Sequence, residues 1–200
     1  MATTAKETVA SYVTDMLALE HHIKKAIAGQ IADLEGETQF VNELQSIHAT
    51  CENHVAKLDA LIARREIGSQ GISETLKKAT SAVLGVGAAA IDFVRTEKLP
   101  KNLRDDYTAL SLANIGYVML HTTALSLGDD EVAELAQDCL ADHAQCVMTL
   151  NHITPAAVVR FLQDEGLPAQ ASVLPTVAEN VGRAWSATPA VTHAGNAHAH

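Results

Sequence analysis

The sequence predicts an all-α helical bundle, and three observations carry that prediction. Hydrophobic residues make up 48% of the chain but aromatics only 4%, so the core must be built from Ala, Leu, Val and Ile, a composition that favours helices. Apolar residues recur at steps of three and four in four long stretches, which places each set on one helix face. Turn and breaker residues separate those stretches: Gly36, Gly68, Gly71, Pro100 and Gly128. The 200 residues suit one domain with a core of useful size and an appendage.

The first helix is expected from about Ala5 to Leu34, with the stripe Val9, Tyr12, Val13, Met16, Ile23, Ile27, Ile31 and Leu34. The slot between Met16 and Ile23 belongs to Glu20. A carboxylate there is buried, and needs a metal, a basic partner or a proton, because an unpaired buried charge costs several kcal/mol. Gly36 ends this helix. The second helix runs from about Thr38 to Arg65 on Phe40, Leu44, Ile47, Cys51, Val55, Leu58 and Ile62, flanked by His48, Glu52 and His54. A further helix, Ser73 to Lys98, carries the small-residue run Ala82 to Ala90, which suits close helix approach. Leu99-Pro100 breaks the chain.

The centre of the organisation is the hairpin Lys101 to Ile153. Its first arm has Leu103, Tyr107, Leu110, Tyr117 and Leu125; its second has Val132, Leu135, Cys139, Cys146, Leu150 and Ile153. Gly128 suits a left-handed cap and Asp129 or Asp130 the next N-cap. Asn114, His121 and His143 interrupt the stripes in core-facing slots. Thr154-Pro155 is expected to start a short new helix to Asp164, ended by Gly166, and Pro175 another, to Trp185, which docks onto the bundle. The expected organisation is therefore a bundle over 1–153, a helical appendage over 154–186 and a mobile tail over 187–200.

With 14 basic and 24 acidic residues, the net charge is −10. An acidic surface repels phosphate backbones, so no nucleic-acid partner is expected. No basic amphipathic segment suggests a membrane surface, and the apolar run Ala82 to Ile91 is too short to span a bilayer. Three cysteines without CxxC spacing argue against a disulfide framework and for a reducing compartment. The first thirty residues contain Lys6, Glu7, Asp15 and Glu20 and no apolar h-region, so no signal peptide is expected and the protein is placed in the cytoplasm. Phosphate loops, His-Glu-x-x-His and nucleophile elbows are absent from the sequence.

Four long helices around a core containing Glu and His resemble the ferritin-like bundle, in which Glu and Glu-x-x-His ligands hold a metal pair. Here no His has a Glu three residues before it. The stretch Leu17-Ala18-Leu19-Glu20-His21-His22-Ile23 resembles the Tyr-x-Ala-Glu-x-x-Leu of the bacterial YciE/YciF-like ferritin-like proteins. His54-Val55-Ala56-Lys57-Leu58-Asp59 is similar to their His-Val-x-Arg-Leu-Glu. Gly116-Tyr117 with Ala124 to Ala133 is similar to their third-to-fourth helix hairpin. The resemblance spans roughly Val9 to Leu150. It implies a ferritin-like four-helix bundle with an additional helix and the C-terminal appendage, in a stress-associated and usually dimeric group.

Carried over residue by residue, the resemblance keeps one ligand, Glu20. The second-helix carboxylate falls at Ala49 or Thr50, and the motif histidine near Glu52, with His54 two residues on. The third falls at Ala113 beside Asn114, and the fourth near Asp138 and Asp142, with His143 adjacent. An alanine cannot ligate a metal, so the resemblance implies a di-iron site that is lost or rebuilt, a non-enzymatic stress-associated protein and a homodimer. In the rebuilt alternative, Glu20, Glu52 or His54, His121 and His143 converge, and three or four N/O ligands suit zinc or a single iron in oxidant defence. Without metal, the same residues are hydrogen-bonded core polar groups, with Glu20 paired to a histidine. A third reading is a bundle whose Gly/Ala-rich helix lines a pocket for a small apolar ligand.

Overall fold

The computed structural model describes residues 4–34, 38–67 and 98–186. Helix α1 spans Ala5–Asp33, α2 Thr38–Arg65, α3 Lys98–Ser126 and α4 Asp130–Asp164; a 3-10 turn at Ala171–Val173 leads into α5, Leu174–Ser186. No strand occurs among the described residues, and the fold is an all-α helical bundle. The expected additional helix, Ser73 to Lys98, its pocket, Gly36 and the histidine-containing tail lie outside the described residues.

Local chemistry sets the helix ends. Thr4 and Glu7 form a reciprocal capping box, each side chain accepting from the other's backbone N–H. Gly128 takes a φ of +73° after α3, and Asp129 caps α4 by accepting from the Val132 N–H. Pro100 does not break the chain before α3. It sits in the helix's first turn, where the missing N–H has no intrahelical acceptor to lose. The break expected at Thr154-Pro155 is also absent, because α4 continues through Pro155 to Asp164. Pro155 forfeits one i→i−4 bond, while Ile153 and Ala157 on either side stay buried and hold the helix in register. Thr154 instead bonds back to the Leu150 carbonyl at 2.7 Å.

Around the bundle, α1 packs on α2 and α3, and α4 packs on α3 and α2, most extensively on α3. The core contains the expected stripes, including Val13, Ile23, Ile27, Leu44, Leu58, Leu103, Leu110, Leu150 and Ile153. Leu125 departs from expectation and points outward, while Ala113 and Ala124 fill the α3 seam. Small residues allow the close α3–α4 approach, and a pattern read by side-chain size overlooks them. At one end Arg65 donates to Asp129 at 2.9 Å and to Glu131, and Arg64 also reaches Glu131. This pins the C-terminus of α2 to the α3–α4 turn, so α2 and α3 run in the same direction. Helix α5 buries no residue, and Trp185, expected to dock, remains 49% exposed. The segment contacts α4 through a few half-buried residues.

Candidate metal centre

Each of the four long helices among the described residues sends one polar side chain to a single point in the core. Glu20 comes from α1, His54 from α2, Tyr117 from α3 and His143 from α4, and all four are fully buried. Each occupies a turn of an apolar stripe, so helix packing alone carries it inward. On α1 Glu20 stands between Met16 and Ile23; on α2 His54 stands between Cys51 and Leu58; on α4 His143 stands between Cys139 and Cys146.

Three donors converge on one oxygen. Glu20 Oε1 accepts from Tyr117 Oη at 2.7 Å, from His143 Nε2 at 2.7 Å and from His54 Nδ1 at 2.9 Å. The rings surround it, with the His54 and His143 centroids 4.9 Å apart and those of Tyr117 and His143 5.6 Å apart. The other nitrogen of His54, Nε2, meets Asp142 Oδ2 at 3.1 Å. Asp142, 47% exposed, connects the buried cluster to the surface. Glu20 Oε2 and His143 Nδ1 are buried with no hydrogen-bond partner.

These contacts fix the charges. Burial raises the pKa of Glu20, but the hydrogen bonds and positive charge of His143 and His54 outweigh it and hold the carboxyl at about 2. Burial lowers that of His54, but the Cys139 sulfur and the Glu20 carboxylate beside it prevail and push it to about 10. Geometry agrees: with a carboxylate oxygen at each ring nitrogen, both nitrogens must donate, which makes His54 an imidazolium in the metal-free protein. Burial and the adjacent Glu20 charge push the Tyr117 phenol well above its ordinary range, so it stays a donor. Burial likewise raises the Cys51 thiol, and raises Cys146 to about 11. All three cysteines are free and buried.

Of the residues expected to converge, the structure brings together Glu20, His54 and His143, whose ligand atoms all lie within 4.8 Å of one another. It does not bring in Glu52 or His121. Glu52 follows Cys51 by one residue, which turns it outward into solvent. His121 is half-buried, with its Nδ1 committed to the Ala133 carbonyl at 2.8 Å. Tyr117 was legible only as an apolar stripe member, because periodicity reports burial and not where a hydroxyl points. Asp142 was visible in the sequence as a position near which the resemblance places a fourth-helix carboxylate, beside His143.

A second buried carboxylate had no signal beyond its spacing between Leu103 and Leu110. Asp106 on α3 accepts from Gln30 Nε2 of α1 at 2.7 Å, while Asp106 Oδ2 and Gln30 Oε1 are buried without partners. Burial raises Asp106 to about 7, against the Gln30 bond, which lowers it.

No family model and no curated protein matches the chain. Among solved structures, the fold is similar to a protein of Xanthomonas campestris pv. campestris strain ATCC 33913, with a TM-score of 0.62 and 19% identity, over 82% of this chain and 99% of that one. At that identity the likeness concerns the fold alone. Among the described residues, no helix is long and apolar enough to cross a membrane.

Proposed function

We propose that this chain is a ferritin-like four-helix bundle whose core holds one transition-metal ion on Glu20, His54 and His143, in place of a di-iron pair. The observation that supports it is the convergence of two imidazoles and one carboxylate, their ligand atoms within 4.8 Å of one another; bonds of about 2 Å set ligand atoms at most about 4 Å apart, so binding one first-row ion would draw these side chains slightly together. This donor set suits zinc or iron. The residues do not fit two ions. A metal pair needs several carboxylates to offset its charge, whereas Glu20 is the buried carboxylate of this cluster, and Ala113, fully buried, stands one turn before Tyr117.

The chain's own groups have defined parts in this reading. His54 releases the Nδ1 proton and keeps Nε2–H on Asp142, the carboxylate–imidazole arrangement that orients a ligating histidine. Tyr117 holds the Glu20 carboxylate in place. A bound ion would act as a Lewis acid or a redox centre according to its identity. The buried free cysteines suit a cytoplasmic setting, and the resemblance to the YciE/YciF-like group suggests stress defence.

The test is metal analysis by mass spectrometry of the full chain and of Glu20→Ala, both purified without metal-affinity chromatography and both exposed to zinc or Fe(II). About one equivalent more metal in the parent than in the variant is expected. Equal contents in the two proteins would reject the centre, since His193, His198 and His200 are common to both. A second reading rests on the three donors already satisfying Glu20 Oε1. In that reading the cluster is a metal-free core ion pair, the residue of a degenerate di-iron site in a non-enzymatic protein. Equal metal content together with a large stability loss in Glu20→Ala would select it.

A further inference from the structure

A divalent ion held by Glu20, His54 and His143 alone would be short of one ligand and one negative charge. Closed zinc sites take four ligands, and these three residues are fully buried, away from the bulk water that could supply a fourth. The charge count points the same way. In metal-free protein the Glu20 carboxylate and the His54 imidazolium cancel. Once His54 gives up its Nδ1 proton to an ion, one carboxylate faces two positive charges. Asp142 meets His54 Nε2 but is 47% exposed, so it stands at the surface and not in the shell. An uncompensated buried charge is strongly disfavoured. The cluster also has spare ligating capacity, since Glu20 Oε2 and His143 Nδ1 are buried without hydrogen-bond partners.

The missing donor is an anionic side chain inside the core, and the flanking turns carry thiols. Cys139 precedes His143 by four residues on α4, and Cys51 precedes His54 by three on α2. Such spacings put each pair on one helix face, and both cysteines are free and buried. Side chains lean toward the helix N-terminus, so His143 leans over the turn that carries Cys139. The Cys139 sulfur lies against both the His54 ring and the Tyr117 hydroxyl. Cys51 stands beside Glu20 instead, and Cys146 beside Thr50. Tyr117 is already engaged, since its hydroxyl donates to Glu20 Oε1. We propose that Cys139 supplies a thiolate as the fourth ligand of the core site, which makes it a site for a thiophilic divalent ion, zinc before iron. The inference rests on the metal reading above. Cys139 is outside the trio whose ligand atoms lie within 4.8 Å, and it closes on the ion as those side chains draw together, helped by the longer zinc–sulfur bond of about 2.3 Å. The Cys139 S–H proton and the His54 Nδ1 proton leave as the metal–sulfur and metal–nitrogen bonds form, and nothing is oxidised or reduced. Thiolate and carboxylate together then neutralise the ion, and thiolate favours zinc over the harder first-row ions.

The probe is cobalt(II), whose bonds to thiolate give an intense near-ultraviolet charge-transfer band that imidazole and carboxylate ligands do not give. The tail histidines therefore cannot imitate it. The full chain is titrated beside Glu20→Ala, Cys139→Ser and the double variant Cys51→Ser with Cys146→Ser, in which Cys139 is the one remaining thiol. The parent and the double variant are expected to develop the band, saturating at one ion per chain. Cys139→Ser, with unchanged helical circular dichroism, is expected to bind cobalt more weakly and to lose the band. Cobalt bound by the parent in excess of Glu20→Ala but without the band overturns the thiolate and leaves the metal centre standing. Equal binding by the parent and Glu20→Ala rejects the centre and this inference with it. A band that persists in Cys139→Ser, or is lost in the double variant, assigns the thiolate to another cysteine and overturns the role of Cys139. The double variant decides the matter even if Cys139→Ser fails to fold.

Discussion

Among the described residues two carboxylates are buried, and they end in opposite states. Glu20 is held at about 2; Asp106, some three turns away along the same pair of helices, is pushed up to about 7. Both suffer desolvation. The difference lies in the donors. Glu20 has three side-chain donors on one oxygen, two of them imidazoles, while Asp106 has a single neutral amide and one bare oxygen. Burial alone therefore does not decide whether a core acid is charged. The partners that neighbouring helices deliver decide it, and the first of these sites is the one proposed to hold an ion.

The comparison breaks most visibly at Glu20. In metal-free protein, Glu20→Ala leaves the His54 imidazolium buried without its internal counter-charge, and unfolding by urea should show a loss of about 3–5 kcal/mol. The pH dependence follows. The folded pKa of Glu20 lies below its unfolded value, so its contribution is present above about pH 4.5 and disappears as pH falls through about 2. That of His54 lies above its unfolded value, so its contribution is full below about pH 6.5 and disappears as pH rises through about 10. The melting temperature of the parent should fall on both sides of that window, and the Glu20→Ala profile should be flatter.

Next in size is Tyr117→Phe, which removes a hydrogen bond to a charged group. A loss of about 1.5–3 kcal/mol in the same measurement is expected, and an unchanged stability would mean that the phenol is not holding the carboxylate.

Asp106→Asn should act in the opposite direction. Because the folded pKa of Asp106 is raised, its favourable contribution is present below about pH 4 and is lost as pH rises to about 7. Above pH 7 the ionised form is a net penalty. The amide should stabilise the protein at pH 8 by roughly 1–2 kcal/mol, with little effect at pH 4. A destabilised variant at pH 8 would show that the carboxylate has a partner that matters more than its burial.

Asp142→Asn should give the smallest change. Its contact with His54 is half exposed and screened, so a loss below about 1 kcal/mol is expected in metal-free protein. If Asp142 orients His54 for an ion, metal affinity should fall about 10–100-fold. Titration with zinc separates these two effects.

The sequence by itself determined the helices and much of the core. Period-3.6 stripes specify which face of a helix turns inward, and the capping residues Thr4, Gly128 and Asp129 specify where helices begin and end. The same periodicity placed Glu20, His54 and His143 at or beside buried slots, because a polar residue in an apolar stripe has no other place to go. What only the tertiary structure decided is which of these meet. His121 occupies a comparable slot yet bonds to the Ala133 backbone, and Tyr117 joins the cluster although its pattern is that of a core aromatic. Asp106 has stripe spacing between Leu103 and Leu110, but its partner Gln30 comes from another helix. Residues tens of positions apart meet only through the rotation and stagger of whole helices, which no single stripe encodes. The continuation of α4 through Pro155 has the same cause: local chemistry favours a break there, and burial of Ile153 and Ala157 on the neighbouring helices outweighs it.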